Sequence, residues 1–168
     1  NVKALEEVQP KDLAPQEIAV KIGVSWIPTE VYSQFLNNIF NSYQEIQVVH
    51  TPLTNTWAIK YRSSYGKSSV LSNVANRQTY ALNYRDPEHG IIQVTAIKII
   101  EKMMNNQDLT VRKTVETADG GEKTITLPRA SIAMQEKAKQ IERKFEEWLW
   151  SDESRAKELA GKYNWEFN

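Results

Sequence analysis

The chain has 168 residues, 21 basic and 21 acidic, so it can bury one substantial core and has no net field of the kind that spreads a protein along nucleic acid. Its lack of cysteine excludes disulfides, thiolate metal sites and a cysteine nucleophile. No run approaches the roughly 18 apolar residues of a membrane span, and the N-terminal residues lack the basic-then-apolar order of a signal peptide, so the expected setting is cytoplasmic with no membrane partner.

Residues 1–13 mix Val2, Leu5 and Val8 with charge before Pro10 breaks any helix, which predicts an incoming linker. An α+β core is expected over residues 14–127 and C-terminal helices over 128–168. Pro15 near the start of a turn, Ile18 and Ile22 on one face and a terminating Gly23 predict a short helix. Val31, Phe35, Leu36, Ile39 and Phe40 have helical spacing over residues 30–40, with Thr29 as the expected cap and Trp26 as a core anchor.

Ile46–His50 and Trp57–Tyr61 are β-rich runs around a loop containing Pro52 and Asn55, which predicts a hairpin. Ser63 to Thr79 reads as a loop. Its Gly66-Lys67-Ser68 is not a phosphate loop, because the first glycine of that motif would fall on Tyr61. After a short strand over residues 79–84, Asp86-Pro87-Glu88 reads as the capped start of a helix with Ile92, Ala96, Ile99, Ile100 and Met103 on its buried face. Asp119-Gly120 between the alternating runs 109–115 and 123–127 predicts a second hairpin.

Pro128 opens a helix expected to reach about Trp150, with Ile132, Ala138, Ile141, Phe145, Trp148 and Leu149 on or near one apolar stripe. Glu136, Glu142, Glu146 and Glu147 alternate with cations on the expected solvated side. Ser151-Asp152 caps a shorter final helix, with Trp165 and Phe167 beyond it. The resulting fold class is α+β: a small, largely antiparallel sheet from two β-hairpins packed against several helices, with a long C-terminal helix and a short final one.

Residues 46–85 contain five cations and no acid, a charge of +5 that leaves −5 for the rest of the neutral chain. Lys60, Arg62, Lys67, Arg77 and Arg85 are interleaved with Trp57, Tyr61, Tyr65, Tyr80 and Tyr84. Basic groups neutralise phosphates and aromatic faces stack on bases, so this composition suits a nucleic-acid surface, although composition alone better fits a hairpin whose Trp and Tyr build the core and whose Lys and Arg keep it soluble.

Gln9-Pro-Lys-Asp-Leu13, Ile22-Gly-Val-Ser-Trp-Ile-Pro28, the terminal helix pair and Tyr163-Asn-Trp-Glu-Phe-Asn168 resemble one family along nearly the whole chain. It is the accessory region ahead of the helicase core in very large bacterial mobile-element and phage proteins, which join an adenine-specific DNA methyltransferase-like part to a Swi/Snf-type DEAD/DEAH-box helicase. Asp86-Pro-Glu-His-Gly90 departs from the basic, glycine-containing run of that family.

The resemblance implies a parent that uses ATP and S-adenosylmethionine, with DNA and the neighbouring helicase and methyltransferase-like domains as partners. The start at Asn1 and the end at Asn168 fit an excised domain. No cofactor is expected in this segment. The methyltransferase amine-holding run, (Asn/Asp)-Pro-Pro-aromatic, is absent because every proline stands alone, and no phosphate loop or acidic helicase motif is present. His50 and His89 form no ligand or triad spacing.

The leading expectation is therefore a noncatalytic DNA-binding or duplex-positioning domain. Lys60, Arg62, Lys67, Arg77 and Arg85 would meet phosphates, and Tyr61 or Tyr65 would stack on a base. The alternative is an interdomain scaffold docking the helicase through Trp150, Trp165 and Phe167. A small-molecule enzyme would require a deep pocket of converging titratable groups.

Overall fold

The computed structural model describes residues 11–61 and 79–168. In chain order they form a 3-10 turn at Pro15–Glu17, α1 (Thr29–Ile39), β1 (Ile46–Thr51), β2 (Thr56–Tyr61), β3 (Leu82–Asp86) and β4 (Gly90–Val94). There follow α2 (Ala96–Met104), β5 (Arg112–Glu116), β6 (Glu122–Thr126), α3 (Pro128–Ser151) and α4 (Glu153–Phe167). The class is α+β with a long C-terminal helix, and antiparallel pairing is divided among three two-stranded ladders, β1–β2, β3–β4 and β5–β6.

α3 is the axis of the core. Ala130, Met134, Ala138, Ile141, Phe145 and Leu149 recur every three or four residues and are buried, which is the period of one helical face. Ile132 falls off that face and is exposed, contrary to its expected place on the stripe. Phe145 stacks on Tyr32 of α1 with ring centroids 5.3 Å apart and meets Phe35 edge-on at 5.0 Å. Trp148 is half-buried, lying 5.4 Å from Phe35, with the Arg155 guanidinium 3.7 Å over its ring.

Three extended segments are held by one device, a helix-borne asparagine whose side-chain amide pairs with both polar groups of a backbone residue. Asn37 of α1 accepts from the Ile46 N–H at 3.0 Å and donates to the Ile46 carbonyl at 3.0 Å. Asn105, closing α2, does the same for Trp57 at 2.7 and 2.9 Å. Asn164 of α4 does it for Leu13 at 2.8 and 3.0 Å. Ser33 and Glu101 add bonds from the Val48 and Ile59 N–H groups, so helices cover both outer edges of the β1–β2 ladder. Edge groups that would otherwise need water are satisfied inside the fold.

The two motifs carrying the family resemblance are structural in this fold. Gly23 has φ +102° and lies so close to Met104 that an added Cβ would stand 2.5 Å from its carbonyl oxygen. Trp26 meets Tyr163 edge-on at 5.2 Å, Ile27 is buried, and Pro28, not Thr29, occupies the N-cap of α1. In the closing motif Asn164 holds Leu13, Asn168 donates to the Lys11 carbonyl at 2.6 Å, and Phe167 rests on Tyr163 at 5.0 Å. Residues 11–13 of the expected linker are thereby tied to the last helix.

Further differences concern local sequence signals. The expected helix start at Asp86-Pro87-Glu88 is the turn of the β3–β4 hairpin: Asp86 accepts from the Glu88 and His89 N–H groups at 2.9 Å, and Gly90 takes φ +78°. An Asx-Pro-acid run suits a turn as well as a helix cap, and here the alternation of Leu82, Tyr84, Ile92 and Val94 decides for strand. α2 starts instead at Ala96, capped by Thr95, and Ile92 belongs to β4. Glu142 is not on a solvated face; its carboxylate accepts from the Ile22 N–H at 2.7 Å, and burial raises its pKa above the ordinary value. Thr79 and Tyr80 are helical, and the rest of the loop expected over 63–79 lies outside the described residues.

Candidate nucleic-acid interface

Of the seven residues expected to contact nucleic acid, Lys60, Tyr61 and Arg85 are described; Arg62, Tyr65, Lys67 and Arg77 lie outside the described residues. Lys60 and Tyr61 end β2, where Lys60 pairs with Gln47 and Tyr61 with Ile46. The alternation that buries Trp57 and Ile59 turns Lys60 outward, while Tyr61, at the open end of the ladder, remains 40% exposed. Both line a groove of about 710 Å³ between α1 and the hairpin.

Amides dominate that groove: Gln34, Gln44 and Gln47 join Lys60 and Tyr61 on its walls. Asn37 and Ser33 also line it, but their polar atoms hold β1. Glu30 and Glu45 stand in the same lining, so carboxylates outnumber the single ammonium. That balance is unlike a phosphate channel, which needs an excess of cations along the backbone path. Most of the groove's lining, over residues 29–45, precedes the acid-free stretch.

Arg85 belongs to another hairpin and does not line the groove. It sits on β3 opposite Ile91 and is exposed. Neither it nor Lys60 takes part in an ion pair among the described residues. Beside Arg85, Asp86 is engaged within its own turn, accepting from the Glu88 N–H and lying 3.0 Å from the His89 ring. These bonds, led by the Glu88 N–H, hold its carboxyl below the ordinary range.

On α4, Trp165 is 89% exposed and Phe167 59% exposed. Both lie inside α4 rather than beyond it. Trp150 differs from the exposed docking residue expected there: it is half-buried against the core, with its indole nitrogen fully covered.

The described residues bring no catalytic constellation together. His50 stacks on Trp57 at 4.1 Å with its Nε2 2.8 Å from Asn55 Oδ1, and His89 serves the β3–β4 turn. No group of three His, Cys, Asp or Glu among the described residues could hold a metal ion. Burial pushes the Tyr32 phenol far above its usual pKa, and its oxygen accepts from the Gly23 and Val24 N–H groups at 3.1 and 3.0 Å. That phenol fastens a loop within the core and faces no groove among those described.

A family profile described as "Domain of unknown function (DUF8437)" matches residues 21–168. No curated protein and no solved structure matches the chain.

Proposed function

The chain belongs to the DUF8437 family, and we propose that it is a noncatalytic DNA-binding or duplex-positioning domain of a DNA methyltransferase–helicase. One observation carries this: Lys60 and Arg85, the described cations of the acid-free stretch, are exposed and unpaired among the described residues. Unpaired ammonium and guanidinium groups can take up phosphates without first losing an internal partner, and each phosphate neutralised releases counterions. Tyr61 beside Lys60 adds an aromatic face for an unstacked base.

Fluorescence anisotropy of a labelled duplex tests it. Affinity is expected to fall steeply between 50 and 200 mM salt, the range over which phosphate contacts are screened. Lys60→Glu with Arg85→Glu should lower affinity further and flatten that salt slope. Unchanged binding in the double variant would remove these hairpins from the interface.

The second reading, a scaffold that docks the helicase core, is favoured by the exposure of Trp165 and Phe167. Trp165→Ala should leave folding intact and weaken co-purification with the helicase core, since an aromatic anchor often dominates such an interface.

A further inference from the structure

The β3–β4 hairpin pairs Asn83 with Gln93 and Arg85 with Ile91 on its outward face, while Leu82, Tyr84, Ile92 and Val94 turn inward. The side chains of Asn83, Arg85 and Gln93 make no hydrogen bond or ion pair among the described residues. Ile91 is 57% exposed, an uncovered β-branched side chain beside them. We propose that this face reads base edges in the major groove of duplex DNA, with Arg85 turned to a base rather than to the phosphate assigned to it above, a proposal that otherwise rests on the DNA-binding reading.

The chemistry of the four residues fits that surface. Asn and Gln can each pair with both the donor and the acceptor of adenine, Arg can fork onto the two acceptors of guanine, and an aliphatic group can cover the thymine methyl. A two-stranded ribbon is of a size the major groove admits. Residues two apart on one strand are about 6.8 Å apart, near the distance of two base-pair steps. Asn83 and Arg85 on β3, and Ile91 and Gln93 on β4, therefore have a spacing commensurate with stacked base pairs.

The other hairpins lack this combination. β1–β2 has α1 bonded to one edge and α2 to the other, which bars it from entering a groove. The exposed face of β5–β6 carries Glu116 opposite Glu122, a like-charge pair that base edges and phosphates would both disfavour. On β3–β4 the four outward positions hold no acid; Asp86 is engaged in the turn, and Glu88 stands in the turn beyond the face. Duplex RNA is the less suitable partner, because its major groove is too deep and narrow for side chains to read.

Selection of the 168-residue chain against a randomised duplex library, followed by anisotropy on the enriched sequence, tests the proposal. The expected result is an enriched motif containing adenine and guanine, with a preference on the order of 10- to 100-fold per read base. Asn83→Ala with Gln93→Ala should abolish the adenine preference, and Arg85→Ala, which removes every donor to guanine, should abolish the guanine preference while salt-sensitive binding persists. All three positions are exposed, and an unchanged unfolding midpoint would show that the variants fold. Salt-sensitive binding with no preference, or with a preference these variants leave intact, overturns base reading and spares the DNA-binding domain. Equal affinity for duplex RNA of the enriched sequence also overturns it. Absence of binding to any duplex overturns both.

Discussion

The β1–β2 and β5–β6 hairpins have the same antiparallel pairing and nearly the same length, yet they stand in different relations to the fold. Side chains of α1 and α2 close the outer edges of β1–β2, and Trp57, one pair in from its turn, meets Tyr32 edge-on at 5.3 Å. β5–β6 exposes most of both strands, and its ties are few: Lys113 donates to the His89 carbonyl at 2.6 Å, and the Val111 N–H bonds to Ser131 at 2.8 Å. The better-signalled turn, Asp119-Gly120, thus belongs to the less integrated hairpin. Turn chemistry decides that a chain reverses; where the hairpin then packs depends on partners remote in sequence.

The largest effect is expected where the sealed edge is opened. Asn105→Ala would leave both the N–H and the carbonyl of Trp57 without their partner, and an unsatisfied buried group costs about 1–3 kcal/mol. A loss of about 2–4 kcal/mol in chemical denaturation should follow. Asn105→Asp keeps an acceptor for the N–H but sets a carboxylate oxygen against the Trp57 and Glu101 carbonyls, so it should not recover the loss. A cost for Asn105→Ala no greater than that of an exposed substitution in β5–β6 would erase the distinction between the hairpins.

The helices were legible because their apolar positions repeat at the helical period: α1, the last three turns of α3 and the Asp152 cap of α4 follow from local spacing alone. Ile132 was misplaced because a stripe one residue wide of the true face looks equally apolar in sequence. The asparagine clamps were not legible, since Asn164 and Leu13 are 151 residues apart and nothing in an isolated Asn names its backbone partner. For the same reason Glu142 read as one more surface charge. The acid-free stretch was visible as composition, but only the pairing register separates Lys60 and Arg85 onto different hairpins and places Asn83 and Gln93 opposite each other.

Carboxylates in the interior and in the β5–β6 arm sharpen the comparison because their shifts have opposite sign. Burial, opposed by the Ile22 N–H, raises the pKa of Glu142 above 4.5. The folded state therefore holds this proton more tightly than the unfolded chain does. The stability it contributes is fully present below pH 4.5 and lost as pH rises through the folded value. Glu142→Gln keeps an acceptor for Ile22 and removes the ionisation. The variant should melt higher than the parent at pH 7, with the gain vanishing in acid. A gain independent of pH would mean that the carboxylate is not the cause.

The smallest effect is expected at the tip of the arm, where acid should act in the opposite direction. Asp119 accepts from the Thr117 hydroxyl and, at 3.2 Å, from the Gly121 N–H; these bonds, the hydroxyl first, lower its pKa below 3.8. A depressed carboxyl contributes stability that is present above the unfolded value and lost as pH falls through the folded one. Asp119 is fully exposed and its partners lie within two residues, so protonation should loosen the turn without unfolding the domain. Amide exchange, corrected for its intrinsic pH dependence, should show falling protection at Gly121 below pH 3.8 while the Trp57 and Val48 amides stay protected. Asp119→Asn should remove that response and leave the global midpoint nearly unchanged. If β1–β2 lost protection in step with the arm, the two hairpins would open as one cooperative unit, and the contrast between sealed and open edges would not describe their stability.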